Sequence, residues 1–386
     1  MRLPIYLDSN ATTPVDPAVL ERMLPYFTES FGNAASKTHS FGWEADRAVQ
    51  TARTEVAAIV GAKPREIVFT SGATEADNQA ILGAAERYRM RGGTDGHIVT
   101  SAIEHPAILD PCDWLEKRGF RVTRVRPDRT GRVSVEAVEA ALEPDTFLVS
   151  VMHVNNEVGT VNPVAELGAM ARERDILFHT DAAQGVGKVP TADLAAHVDL
   201  ISFTGHKFYG PKGVGALYVR NEIRERIAPI LHGGGHERGL RSGTLSVPLI
   251  VGLGAACAVA DEKLASDMEH ARTLAARLAE GLTARLPGVR RNGHPDDRAP
   301  GTVHVTIPKM EAQSVLVALP EVAISAGSAC SSAEATPSHV LTAMGMSKEE
   351  AAASLRFGIG RFNREDEIDY VLEAIPPKIE SLQKLG

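Results

Sequence analysis

The sequence has few cysteines and no long apolar run. Its 386 residues include three cysteines, at positions 112, 257 and 330, without a C-x-x-C spacing, so neither a disulfide framework nor a zinc site is predicted. The most apolar stretch, residues 245–260, contains a serine and a proline and ends at Asp261. It is shorter than the roughly 18 residues that span a bilayer, so we expect a buried helix and no membrane segment.

Basic residues are not in excess either. The chain has 41 Lys and Arg against 49 Asp and Glu, a net charge of -8, and its basic residues are spread along the chain. This pattern disfavours nucleic-acid binding. Asp8 precedes any apolar signal-peptide core, and the cysteines fit a reducing compartment, so a cytoplasmic location is expected.

The remaining composition, 44% hydrophobic and 23% charged residues, is typical of a globular protein and excludes disordered and collagen-like classes. Short apolar runs alternate with helical stretches, which predicts an α/β fold whose mainly parallel sheet is flanked by helices. The runs are residues 66–70, 97–100, 147–152, 176–179 and 200–203. A further run at 215–219 follows a short loop and is expected to pair antiparallel.

A helical stretch at about 247–286 precedes an apolar run at 303–307. We place a domain change near residue 260. The predicted large domain, which contains the apolar runs of the sheet, is residues 16–259. The smaller α+β domain comprises residues 1–15 and 260–386, and its loop at about 325–333 carries Cys330.

Ligands of open parallel sheets bind where the strands end, so the residues after each run were compared. Residues 70–78 lead through glycine into a helix, where backbone N–H groups and the Thr74 hydroxyl could hold a phosphate. A plain helix cap explains this segment equally well. His105 follows the second run, and a structural histidine is an alternative interpretation there.

Three more strand ends carry polar groups. Asn155 and Asn156 follow the third run and could be simple turn residues. Asp181 and Gln184 follow the fourth, where an aspartate is often a helix cap. Lys207 follows the fifth run inside a glycine-rich loop, a setting that favours a desolvated amine over a solvated surface charge.

Together these strand ends match the needs of pyridoxal phosphate. Its phosphate binds hydroxyls and a helix start, its aldehyde needs a lysine, and its ring nitrogen needs a carboxylate. Cys330 lies among small residues at 325–333, which favours an exposed, reactive thiol. Cys112 and Cys257 lie in helical, partly apolar settings, which favours a structural role.

The assembled motifs resemble the NifS/IscS class of cysteine desulfurases, pyridoxal-phosphate enzymes of the aspartate aminotransferase fold. The match runs from about residue 6 to residue 358. It includes the segments 71–75, 155–157, 179–184, 205–213, 233–244 and 327–330.

For the cofactor ring, the resemblance implies that Lys207 binds the aldehyde and that Asp181 pairs with the ring nitrogen. Gln184 would hydrogen-bond the ring's phenolic oxygen. His105 would stack on the ring and take part in proton transfer.

For the phosphate, the resemblance implies binding by Ala73 and Thr74, and by Thr204 and His206 beside the lysine. Thr204 stands where relatives usually have serine. Thr244 would reach over from a second subunit, which implies a homodimer.

Asn156, also among the cofactor-binding residues, and Arg356 would bind the substrate carboxylate, and Cys330 would accept the sulfur. The implied reaction converts L-cysteine to L-alanine with a persulfide on Cys330, for transfer to a sulfur acceptor or scaffold protein. The sulfur would serve iron–sulfur clusters, thiolated tRNA or cofactors. No resident metal is expected, and Cys330 is a candidate transient iron–sulfur ligand.

Two alternatives stay open at the level of sequence. A selenocysteine lyase or a C–S lyase would share nearly all of these motifs. A sulfur-carrier interaction hub with little turnover alone would need Cys330 but not the cofactor-binding residues.

Overall fold

The computed structural model describes residues 3–326 and 337–384. Its strands are, in chain order, β1 (Ile5–Tyr6), β2 (Ile67–Thr70), β3 (His97–Ser101), β4 (Arg121–Val125), β5 (Thr146–Ser150), β6 (Leu177–Asp181), β7 (Leu200–Thr204), β8 (Gly215–Val219), β9 (Arg290–Arg291), β10 (Thr302–Thr306), β11 (Val322–Ala323), β12 (Ser325–Ala326) and β13 (Ser354–Gly358). Its helices are α1 (Pro17–Met23), α2 (Pro25–Thr28), α3 (Ser40–Ala58), α4 (Ala73–Met90), α5 (Pro106–Glu116), α6 (Val135–Ala140), α7 (Val164–Glu173), α8 (Leu194–His197), α9 (Val247–Arg285), α10 (Ala312–Ala318), α11 (His339–Ala343), α12 (Lys348–Ala352) and α13 (Glu365–Gln383).

The main sheet has the strand order β2-β8-β7-β6-β5-β3-β4. Strands β4, β3, β5, β6 and β7 pair parallel, and β8 pairs antiparallel with both β7 and β2. Both sequence predictions, a mainly parallel sheet and an antiparallel 215–219 strand, are therefore confirmed. The carboxyl ends of all the strands except β8 lie at one edge of this sheet.

The apolar runs become strands because both faces of the sheet are covered. Every residue of β2, β3, β5, β6, β7 and β8 is buried, as expected for strands enclosed between helix layers. The edge strand β4 is half exposed. Its sequence, RVTRV, is polar at three of five positions and forms no apolar run, so it is not among the predicted strands.

A second apolar core lies around β9, β10, β12 and β13, whose sheet is antiparallel. This core includes Ile5 and Leu7 from the chain start and side chains of α13. The predicted long helix is confirmed as α9. Its first half packs in the core of the main sheet and its second half, from Leu274, in the second core. Because there are two separate apolar cores, we propose that the chain divides into two domains, as the sequence predicts, and that α9 contributes to both.

No helix in the described part of the chain is long and apolar enough to cross a membrane.

Candidate active site

A cavity of about 510 Å³ lies at the carboxyl-terminal edge of the main sheet. That volume is within the range of small-molecule and cofactor sites. The structure brings most of the predicted site residues together in its wall: Ala73, Thr74, His105, Asn156, Asp181, Gln184, Thr204, His206, Lys207 and Arg356.

Lys207 ends a 3-10 turn that follows β7. Its Nζ donates to the backbone oxygens of Asn10, at 2.7 Å, and Ala11, at 2.8 Å. The turn requires glycine at position 210, because a Cβ there would lie 2.9 Å from the Gly205 oxygen. The glycine-rich loop therefore folds tightly back on the strand end, and the segment after β1 holds the amine.

Asp181 ends β6 and is 5% exposed. Its Oδ1 accepts a hydrogen bond from the Ala183 N–H at 2.8 Å. Burial raises the pKa of this carboxyl, because a low-dielectric setting disfavours the charged form. A cation placed against Asp181 would relieve that penalty, and a protonated pyridine nitrogen is such a group.

Gln184 lies one turn beyond Asp181, and its amide has a defined orientation. Its Nε2 donates to the Asn10 oxygen at 2.8 Å, and its Oε1 accepts from the Lys188 Nζ at 2.5 Å. Because lysine only donates, the oxygen of the amide must face Lys188. The second proton of Nε2 remains for an oxygen acceptor.

His105 is the N-cap residue of α5, and its Nδ1 accepts from the Ala107 N–H at 3.1 Å. Burial lowers the pKa of this imidazole; the Asp181 charge opposes that shift, and the Lys207 charge adds to it. The ring is therefore neutral at neutral pH. Because Nδ1 is the acceptor, the proton is on Nε2.

The start of α4 forms one end of the cavity. Its N-cap residue, Gly72, provides no capping side chain, so the first-turn N–H groups at Ala73 and Thr74 can serve an anion. Thr204 is buried, and its Oγ1 donates to the Val214 oxygen at 3.1 Å. It would have to release that bond to donate to a phosphate.

His206 completes this end of the cavity. Its Nδ1 lies 3.1 Å from the Thr12 Oγ1. Burial first, and then the charges of neighbouring lysines with Lys207 foremost, lower the pKa of His206 to about 4. A neutral imidazole results, which can donate one hydrogen bond to an anion without carrying charge itself.

Two predicted residues are not in this wall. Thr244 is exposed and does not line the cavity of its own chain. Cys330 lies outside the described residues. Cys112 and Cys257 are both fully buried in helices, α5 and α9.

Arg356, on β13, has a side chain that is 7% exposed. Its Nη1 donates to the Asn156 backbone oxygen at 3.0 Å, and its Nη2 donates to the Asp8 Oδ1 at 2.8 Å and to the Ser325 Oγ at 3.2 Å. Arg356 and Asn156 therefore lie side by side, as substrate binding by both would require.

Several cavity residues were not singled out from the sequence. Asp8, Asn10 and Asp77 line the cavity, and Lys188 contacts it through Gln184. Glu104 lies fully buried beside His105, and burial raises its pKa to about 8. The sequence contains a signal for Asp8 and Asn10. The mostly polar segment 8–13 directly follows the apolar residues at the chain start, just as polar residues follow the apolar runs of the main sheet.

These residues fit pyridoxal phosphate. An amine, a buried carboxylate and an uncapped helix start line one cavity of suitable volume. Each matches one part of that cofactor: the aldehyde, the ring nitrogen and the phosphate.

Comparisons with known proteins agree with this chemistry. The family model for class-V aminotransferases matches residues 5–371. Cysteine desulfurase IscS of Anaeromyxobacter dehalogenans is 51% identical over 388 aligned positions, which cover 100% of this chain and 95% of the relative. Among solved structures, a NifS-like protein superposes with a TM-score of 0.90 at 38% identity, covering 99% of this chain and 100% of the other.

A third match is the structure of SspA in complex with cysteine, with a TM-score of 0.82 and 40% identity over 93% of this chain and 100% of the other. The fold and the site are those of a pyridoxal-phosphate enzyme, and the chain belongs to the class-V aminotransferase family. Within that family it is a cysteine desulfurase, so the resemblance, the fold class and the cofactor predicted from the sequence are confirmed.

Proposed function

We propose that this cysteine desulfurase transfers the sulfur of L-cysteine to Cys330 and leaves L-alanine. The net reaction converts one thiol and L-cysteine into one persulfide and L-alanine. The Cβ–Sγ bond of the substrate breaks, an S–S bond forms, and the Cβ takes up a proton. The convergence of Lys207, Asp181 and Arg356 on one cavity carries this proposal, because it pairs cofactor chemistry with a site for an amino acid carboxylate.

Pyridoxal phosphate, when bound, supplies an electron-withdrawing ring that stabilises negative charge at the substrate α-carbon. Asp181 would keep the ring nitrogen protonated, and Gln184 would donate its remaining Nε2 proton to the phenolic oxygen. The neutral His105 would lie against the ring and share its Nε2 proton. Ala73, Thr74, Thr204 and His206 would hold the phosphate.

Lys207 would bind the aldehyde and later move the substrate's α-proton through its Nζ. The Asn10 and Ala11 oxygens support both roles, because they hold the Nζ in one place inside the cavity. General base catalysis needs a group fixed within hydrogen-bond reach of the proton that it removes.

Arg356 and Asn156 would bind the substrate carboxylate. The guanidinium is a suitable partner because two parallel N–H groups match the two carboxylate oxygens. Its burial strengthens such a bond by excluding competing water.

Cys330 is the cysteine we assign to sulfur transfer, since the other two are unsuited to it. Burial raises the pKa of Cys112 to about 12 and also raises that of Cys257 well above the usual range. Both thiols are therefore protonated at neutral pH, and the thiolate is the nucleophilic form.

The described residues on either side of the segment 327–336 bond at or beside the carboxylate-binding residues. Ser325 accepts from Arg356, as described above, and the Ser338 Oγ donates to the Glu157 Oε2 at 2.6 Å. Glu157 directly follows Asn156. Both flanks of the segment that contains Cys330 therefore bond to the carboxylate-binding residues or to their immediate neighbour.

We also propose a homodimer in which Thr244 completes the phosphate site of the partner. Thr244 is exposed and does not line the cavity of its own chain, which supports this proposal. A second observation is an apolar surface on α1, α2, the segment after α2 and the start of α3, since exposed apolar side chains grouped in this way favour a partner. Its exposed side chains are Leu20, Leu24, Phe27, Phe31, Phe41 and Trp43.

The product persulfide would pass to a sulfur acceptor or scaffold protein in the cytoplasm. A persulfide is a reversible modification that exchanges with another thiol. The buried free thiols of Cys112 and Cys257 support a reducing compartment.

Alanine formation from L-cysteine tests the proposal. The holoenzyme should release L-alanine, Lys207→Ala should release none, and Cys330→Ser should release almost none while it still binds L-cysteine. Cys112→Ser and Cys257→Ala are the matched controls and should remain active. Native turnover by Cys330→Ser, with free sulfide as product, would establish the C–S lyase alternative, and preference for selenocysteine would establish the selenocysteine lyase.

A further inference from the structure

Three of the five N–H donors of Arg356 are already in use. A guanidinium carries five N–H groups: two on each terminal nitrogen and one on Nε. Here both Nη2 donors are in use, toward Asp8 and Ser325, and one Nη1 donor is in use toward the Asn156 oxygen. Nε is buried and has no hydrogen-bond partner among the described residues.

This arrangement conflicts with two-point binding of a carboxylate. The two edges of a guanidinium that can bind both carboxylate oxygens, Nη1 with Nη2 and Nε with Nη2, share Nη2. The substrate can therefore make its two hydrogen bonds to Arg356 only after Asp8 or Ser325 has left Nη2.

Asp8 is the carboxylate of the two and so the direct chemical competitor. It lines the cavity, and its side chain is 17% exposed, against 7% for Arg356. A second basic side chain lies near Asp8: burial lowers the pKa of Lys188 well below its usual range, the charges of Lys207 and Arg356 lower it further, and the Asp8 charge opposes that shift. Asp8 is thus a carboxylate placed among basic side chains.

Building on the proposed role of Arg356, we propose that Asp8 occupies the position of the substrate carboxylate and yields it when the substrate binds. Asp8 is a positioning residue in this scheme. Without substrate it neutralises a buried guanidinium, whose charge would otherwise be costly. The exchange replaces one carboxylate by another, so the charge around Arg356 is balanced before and after binding.

The exchange also explains selectivity for α-amino acids. An amine that lacks a carboxylate cannot replace Asp8 and leaves the ion pair in place. Asp8 therefore weakens the binding of every carboxylate ligand, and it has no such effect on the corresponding amine.

The test compares two probes in the holoenzyme: L-alanine, which has the carboxylate, and cysteamine, which is the substrate without it. Binding is followed by the absorbance of the bound cofactor. In Asp8→Asn the dissociation constant for L-alanine should fall about fivefold. That factor corresponds to the strongest ion pairs measured at exposed positions in proteins. The constant for cysteamine should not change, and the KM for L-cysteine should fall with kcat retained.

Asp267→Asn is the matched control, since it removes a part-buried aspartate that binds Arg361 at 2.7 Å and does not line this cavity. It should leave both constants unchanged. Asp8→Ala is a second variant for the case in which Asp8→Asn does not fold, with the same expected direction.

Weaker or unchanged L-alanine binding in the folded Asp8 variants would overturn the inference, because Asp8 would then orient Arg356 or have no part in binding. Arg356→Gln separates this failure from that of the proposed function. It should weaken L-alanine binding more than cysteamine binding. Equal effects on the two probes would refute the role of Arg356 itself.

Discussion

The pair of Arg53 and Glu237 provides the sharpest stability prediction. Arg53 donates from Nη1 and Nη2 to the two oxygens of Glu237, both at 2.7 Å, and the two side chains are 4% and 2% exposed. Glu237 Oε2 also accepts from the Phe69 N–H at 2.9 Å. This carboxylate therefore fastens the glycine-rich loop at 232–239 to β2, the strand that leads to the α4 helix start.

Glu237→Gln keeps the shape of the side chain but removes the charge. One amide nitrogen would then face a donor of Arg53, and a buried guanidinium would have no counterion. Breaking a buried ion pair at one partner costs about 3–5 kcal/mol, since the remaining charge is uncompensated. We expect the free energy of unfolding to fall by that amount.

Urea unfolding of the native protein and the variant measures this change. The matched control is Asp369→Asn, because Asp369 also binds an arginine at two points, Arg277 Nε at 2.7 Å and Nη2 at 2.8 Å, but on the surface. Its side chain is 45% exposed, and solvent screening makes such pairs weak. A loss in Glu237→Gln no larger than that in Asp369→Asn would refute the burial argument.

Two further predictions concern the site. Burial raises the pKa of Glu104 to about 8. Between about pH 5 and 8 the folded protein therefore keeps a proton on Glu104 that the unfolded chain has lost. The free energy of unfolding should fall as pH rises through this range. Glu104→Gln should remove up to about 1.4 kcal/mol of that fall per pH unit in urea titrations, and an unchanged slope would contradict it. Thr244→Val should weaken pyridoxal phosphate binding about tenfold, as measured by cofactor release, whereas the exposed Thr51→Val should not; equal affinities would refute a shared site.

The sequence was sufficient to predict the main sheet because its strands are buried on both faces, which requires continuous apolar runs such as 147–152. Edge strand β4 escaped prediction since neither of its faces is fully buried, and both admit an arginine, Arg121 on one and Arg124 on the other. The short strands β1, β11 and β12 have two residues each. Such short strands form by pairing with distant segments, so the local sequence contains no hydrophobic pattern that would predict them.

The presence of Lys207, Asp181 and His105 in one cavity could be expected from the sequence because each lies within a few residues of the end of an apolar run. The partners of these residues could not. Asn10 contacts Lys207 and Gln184 through its backbone oxygen, and a backbone oxygen is present at every residue. Similarly, the bond between Asp8 and Arg356 joins residues 348 positions apart, so only the folded chain shows that the guanidinium already has a carboxylate partner.

The most direct test of the central claim is the mass of the peptide that contains Cys330 after the holoenzyme has reacted with L-cysteine. The account predicts a gain of one sulfur atom on that peptide, in step with L-alanine formation. It predicts no gain on the peptides of Cys112 and Cys257, whose thiols are buried. L-alanine formed at the native rate, with the sulfur released as sulfide and none on Cys330, would contradict it.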